Sequence, residues 1–257
     1  MSQLALSYIT AVAIGGIAGF LGSLMITKRM ALVGGPLGHL ALPGVALALI
    51  YGFDIFWGGL MTIAFGSLII WLFSLRSSLH LEALTAVVFA STVALGFLIL
   101  PIEDAEAALI GDITQVTLFD AGLAVVLGIA IFLLVRAIYP KLVLASISEE
   151  LARSEGVNVS KYNFVYLVAI ALVVAMEVKI VGTLLTAALM AIPAAAASNF
   201  SRTLGQYTTL GLIIGVVCAV GGVLLSQFSP LPAGPLIILA GTFVFLVSLC
   251  VKRRGVS

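Results

Sequence analysis

TLGQYTTLGLIIGVVCAVGGVLLSQFSPLPAGPLIILAGTFVFLVSLCV, residues 203–251, carries no charged side chain. A bilayer core of about 30 Å is crossed by about 20 apolar residues in a helix. The stretch is therefore two spans, split where Ser229, Pro230, Pro232 and Gly234 form a turn. The rest of the chain has the same character. Hydrophobic residues make up 62% of the 257 and charged residues 9%, against about 45–50% and about 25% in soluble domains. Mean hydropathy is +1.29. No soluble domain of this size hides that much apolar surface, because much of any folded surface faces water. A soluble enzyme, a coiled coil and a disordered chain are excluded. The fold class is all-α: a polytopic transmembrane helical bundle.

Uncharged runs, cut by charges and by Gly/Pro clusters, give about nine spans, near 7–27, 33–52, 55–75, 83–100, 119–137, 162–178, 181–198, 208–228 and 233–251. The positive-inside rule tests the count. With Lys28 and Arg29 cytoplasmic, nine alternating spans also place Arg76, Arg136, Lys141, Arg153, Lys161, Arg202, Lys252, Arg253 and Arg254 inside. Only Lys179 is left outside, while Asp54, Glu103, Asp104, Glu106, Asp112 and Asp120 collect there. The N-terminus is thus expected outside and the C-terminus in the cytoplasm. The first span has no basic residue before it, unlike a signal peptide. The chain reads as one domain, 1–257, with no repeat. Its net charge of +1 speaks against nucleic acid as a partner. Cys218 and Cys250 lie in apolar runs and read as buried small hydrophobes.

Lipid makes polar and kinking residues expensive, so those inside spans are where function shows. The second span opens Ala31-Leu-Val-Gly34-Gly35-Pro36-Leu-Gly38-His39-Leu-Ala-Leu-Pro43-Gly44. Pro36 suits a helix start. Pro43 removes a hydrogen bond and is expected to kink the helix. His39 is the only histidine well inside a span: either a structural hydrogen-bonder or a metal ligand. The seventh span carries Met190 and Pro193 before an alanine run, either a packing kink or a broken helix beside a pathway. Glu177 and Lys179 sit at an outer span end and read as snorkelling groups or a local ion pair. Gly15 and Gly19, and Gly211 and Gly215, have the four-residue spacing of close helix packing.

The longest cytoplasmic loop holds a short helix signal. Ser148 caps it, Glu149 and Glu150 fill the first turn, Leu151 is its apolar anchor and Gly156 stops it. It suits a soluble partner or the headgroup layer. There is no GxxxxGK[ST], HExxH or GxSxG, so the chain has no phosphate loop and no catalytic site of its own.

These residues together resemble the membrane permeases of ATP-binding-cassette importers for zinc, manganese and iron, the ZnuB/MntB-like family. Lys28 to Gly34, KRMALVG, is similar to its RRMALxGD motif, and His39 to Gly44, HLALPG, to its HaxLPG. Lys179 to Ala197, KIVGTLLTAALMAIPAAAA, resembles VGxLLxxALLxIPAAtA; Gly221 to Ser226 with Pro232 to Pro235 resembles the family's ending. The order covers nearly the whole chain. The resemblance implies two copies of this chain paired around a central path in the plasma membrane. Two ATPase subunits would grip Ser148–Gly156 as a coupling helix, and an extracytoplasmic metal-binding protein would deliver the ion. ATP would be used by the partner alone; no cofactor would reside on this chain, and the divalent metal would be cargo.

One position departs from the family. Its second span has Asp and His four apart, on one helix face. Here Gly35 takes the Asp position and His39 stands alone. The loss of a hard oxygen donor weakens manganese more than zinc, which accepts imidazole readily. The alternatives are a permease for a chelated metal or siderophore, and an ATP-independent carrier.

Overall fold

The computed structural model describes residues 2–28, 30, 34–77, 79, 81–99, 109, 111, 113, 116–183 and 185–251. Arg29, His80, Glu103, Asp104, Glu106, Asp112 and Lys252 to Arg254 lie outside these. Among the described residues there are eleven α-helices and no strand. They are α1 (Gln3–Thr27), α2 (Gly34–His39), α3 (Leu42–Tyr51), α4 (Ile55–Arg76), α5 (Leu81–Ile99), α6 (Leu118–Ile147), α7 (Glu149–Ser154), α8 (Val159–Val181), α9 (Thr186–Phe200), α10 (Leu204–Ser226) and α11 (Ala233–Val251).

Seven of them, α1, α4, α5, α6, α8, α10 and α11, are long and apolar enough to cross a bilayer. Two further expected spans are different. The second is divided into α2 and α3, and the seventh is only the 15 residues of α9, about 22 Å of helix and short of a full crossing. At the other extreme α6 has 30 residues, about 45 Å, and so runs past the bilayer core.

α1 and α8 are the most enclosed of the long helices. α1 packs chiefly on α10, and also on α9 and α6. The glycine pairs explain the first contact. A Cβ on Gly15 or Gly19 would run into the Gly215 or Gly211 carbonyl. The two small-residue pairs noted in the sequence thus face each other, and the backbones touch because neither has a side chain. α3, α4 and α5 form a second group, joined to the first through α8. The six-residue α2 packs against α4, α5, α8 and α9.

Hydrogen bonds sort the helix ends onto two faces. On the N-terminal face, the Gln3 amide donates to the Val116 carbonyl (2.8 Å) and the Gln227 amide to the Tyr8 hydroxyl (2.7 Å). On the opposite face, which carries α7, Lys28 Nζ donates to Asn163 Oδ1 (2.9 Å) and Lys141 Nζ to the Tyr162 hydroxyl (2.6 Å). One expectation fails: Cys218 is buried, but Cys250 is exposed on α11. That helix turns much of its surface outward, and in a bilayer lipid rather than protein covers it.

Candidate functional site

The expected kink at Pro43 is a full break. α2 ends at His39, Leu40 and Ala41 form a turn, and Pro43 is the second residue of α3. A proline there costs nothing, since its missing N–H would have no helical partner. Pro36 likewise lies in the first turn of α2, and its carbonyl accepts the Leu40 N–H at 3.1 Å. The break leaves His39 at the tip of α2, half-buried, its ring 5.5 Å from that of Phe89. Its Nδ1 is buried and has no hydrogen-bond partner among the described residues. Gly35 faces α9: a Cβ there would lie 3.1 Å from Ala187 Cβ.

In the seventh span the interruption lies before the helix rather than at its proline. Gly182, at φ 83° and against the Leu109 carbonyl and Gly111, turns the chain out of α8 in a conformation that suits only glycine. α9 then runs through Pro193 as one helix. Met190 and Pro193 are buried, and the Met190 carbonyl lies where a side chain on Gly22 of α1 would be.

The predicted short helix is present as α7. Ser148 closes α6 by donating its N–H to Leu144 and opens α7 by accepting the Leu151 N–H on its hydroxyl at 3.2 Å. Gly156, at φ 75°, follows its end. Ala152 is fully buried beside Ala145 and Val159, so the inner side of α7 is fixed. Leu151, Glu149 and Glu150 face outward, with Arg153 3.5 Å from Glu149. Lys28, just past α1, is drawn below its ordinary pKa by burial, an effect partly opposed by Glu149.

Of the two readings of Glu177 and Lys179, snorkelling groups or a local ion pair, the pair does not form. Lys179 donates to Asp54 Oδ2 (2.7 Å) and Asp120 Oδ1 (2.8 Å). Each acid also caps a helix: Asp54 Oδ1 accepts the Phe56 N–H of α4, and Asp120 Oδ2 accepts the Thr117 N–H and hydroxyl in a capping box on α6. The signs suit the helix dipoles, with acids at two N-termini and the cation near the α8 C-terminus. This explains the one opposed positive charge. Thr117-x-x-Asp120 was a readable capping pattern; its meeting with Lys179 and Asp54 was not. Two residues along a helix are about 200° apart, so Glu177 turns inward. It is 0% exposed, and neither carboxylate oxygen has a partner among the described residues.

The bundle thus has a span broken at His39, whose Nδ1 is unpartnered among the described residues, and a capped helix fixed on one side and open on the other. The chain belongs to the ABC 3 transport family, whose profile it matches over residues 2–252. It is 31% identical to the manganese import system permease protein ScaB of Streptococcus pneumoniae, over 96% of this chain and 89% of that one. It is 28% identical to the high-affinity zinc uptake system membrane protein ZnuB of Haemophilus influenzae, over 96% of each. The solved structure of PsaBC from S. pneumoniae in complex with Fab superposes with a TM-score of 0.85, at 28% identity, over 99% of this chain and 93% of that one. The chain is accordingly a multi-pass membrane component of an ATP-binding-cassette transporter and not an enzyme.

Proposed function

We propose that this chain is the permease through which a divalent metal ion enters the cytoplasm, zinc ahead of manganese and iron. The observation that carries the reading is His39: an imidazole whose buried Nδ1 has no hydrogen-bond partner among the described residues, held at a helix break inside the membrane region. Relatives named for manganese and for zinc match at similar identity, so the choice of metal rests on the donor set. Gly35 supplies no oxygen beside His39, which favours zinc. The whole chain serves as one domain of nine spans, with α2–α3 as the second and α9 as the seventh. The N-terminal face lies outside and the α7 face, where Lys28, Lys141, Arg153 and Lys161 gather, lies in the cytoplasm. Two copies pair around the path, and an extracytoplasmic binding protein hands over the ion. A separate ATPase docks on α7 through Leu151, Glu149 and Glu150 and supplies the energy.

The test is cellular zinc, manganese and iron by elemental analysis, in metal-starved cells expressing this chain with its ATPase. An ATPase-dead complex is the control. Accumulation of one ion that depends on ATP hydrolysis is expected. Equal metal in both cultures, with the complex intact, overturns the reading and favours a chelate as cargo.

A further inference from the structure

Glu177 has no role in the site described so far, yet it is the least explicable side chain in the molecule. An ionised carboxylate without a partner in a low-dielectric interior is among the costliest placements available, and a neutral one still forfeits its hydrogen bonds. His39, Ser67, Trp71, Tyr139 and Tyr207 also bury a polar atom with no partner among the described residues, but Glu177 is the one carboxylate in that group and leaves both its oxygens so. Other buried or half-buried polar groups are used. Thr10, Ser23 and Thr208 return their hydroxyls to backbone carbonyls of their own helices. Asp120 and Lys179 satisfy each other. Lys179, the nearest cation in sequence, is held on the other side of α8 by two acids.

The direction of Glu177 follows from helix geometry. Eleven residues are about three turns, so Glu177 lies on the same stripe of α8 as Tyr166, whose hydroxyl donates to the Leu21 carbonyl of α1 at 2.9 Å. That stripe, with Ile170, Val173 and Val174, is fully buried. The carboxylate therefore points into the bundle, on a helix that also packs against α2, the element ending in His39.

We propose that Glu177 is a cation-transit site: an anionic oxygen donor reserved for the transported divalent ion when the bundle opens. The inference rests on the reading of the chain as a metal permease and adds a residue to its path. The group stands empty-handed in a closed interior because its partner is the cargo. Among the described residues no three or more His, Cys, Asp or Glu side chains gather as a metal cluster. Few donors bind weakly, and a path must release its ion.

The test uses the complete complex with its ATPase in liposomes, comparing wild type with Glu177→Gln and Glu177→Met. Zinc and manganese uptake and equilibrium binding of each metal alone are measured. Both variants are expected to fold, since each replaces an unpartnered buried carboxyl group with an uncharged side chain of similar size. They should lose at least tenfold in uptake and one weakly bound ion per chain, while Glu177→Asp retains part of both. Manganese should suffer more than zinc, because an oxygen donor is lost. Uptake within twofold of wild type, or unchanged ion binding, in either folded variant overturns the proposal. If wild type moves neither metal, the permease reading fails, and the binding comparison still decides whether Glu177 holds a cation.

Discussion

Two polar regions of this bundle behave in opposite ways. At the end of α8, Lys179, Asp54 and Asp120 saturate one another, and both acids also cap helix starts. Glu177, half a turn earlier on α8, and His39, at the tip of α2, keep buried atoms with no hydrogen-bond partner among the described residues. The first region spends its polar chemistry on structure, tying α4, α6 and α8 together. The second leaves it unspent, which costs stability unless something arrives to use it. Polarity alone does not mark function in a membrane protein, nor does a missing partner by itself, since Ser67, Trp71, Tyr139 and Tyr207 also bury polar atoms with none among the described residues; a carboxylate left so is the costlier case.

The comparison breaks most directly at Lys179. Lys179→Met should cost about 3 kcal/mol, because it strands Asp120 in a mostly buried position. Thermal unfolding of the purified chain should show this, with Asp120→Asn in the same background recovering part of the loss. A Lys179→Met protein as stable as wild type would remove the structural role. His39→Ala should do the reverse: at least a tenfold fall in metal uptake, with a melting temperature within a few degrees of wild type. Normal uptake in that variant would return His39 to packing.

The α7 face gives a third test. Leu151→Asp, or charge reversal at Glu149 and Glu150, should prevent copurification of the ATPase and leave folding intact, because these side chains already face water. Retained copurification would count against docking there. A smaller effect is expected at Gly35. Gly35→Asp should shift uptake toward manganese. The new Cβ meets Ala187 Cβ at 3.1 Å, so pairing it with Ala187→Gly should strengthen the shift. Unchanged ion preference in the double variant would sink the ligand argument.

The smallest effect concerns Lys28. Folding lowers its pKa, so the folded state binds fewer protons than the unfolded one below the ordinary value of 10.5. The stability of wild type relative to Lys28→Met should therefore rise as pH climbs toward 10.5 and level off above it. A flat difference would show that Lys28 is solvated.

The placement of helices was legible because lipid imposes a simple rule: apolar residues at length, with breaks where charge, glycine and proline cluster. The same rule made α7 readable, since Ser148, the following acids and Gly156 are local signals. Motif order made the family readable as well. The site was legible only in outline. His39 stood out as a lone imidazole, but its free Nδ1 depends on which helices surround α2. The Pro43 kink was read as a bend, whereas the turn at Leu40 and Ala41 makes two helices. Glu177 and Lys179 were read together, as snorkelling groups or a local ion pair, because they are neighbours in sequence, yet helix rotation sends them to opposite sides.

Composition and hydropathy were enough for an all-helical membrane bundle, its long apolar helices, its short capped helix and its family, because each of these is written in local residue order. Pairing across the bundle was decided by the fold alone. Gly15 and Gly19 reach Gly215 and Gly211, and Lys179 reaches Asp54 and Asp120, through packing between helices more than 50 residues apart in the chain. Whether a buried carboxylate is satisfied or waiting is a property of what surrounds it in space. Sequence distance carries no information about that, so only the packed structure separates Asp120 from Glu177.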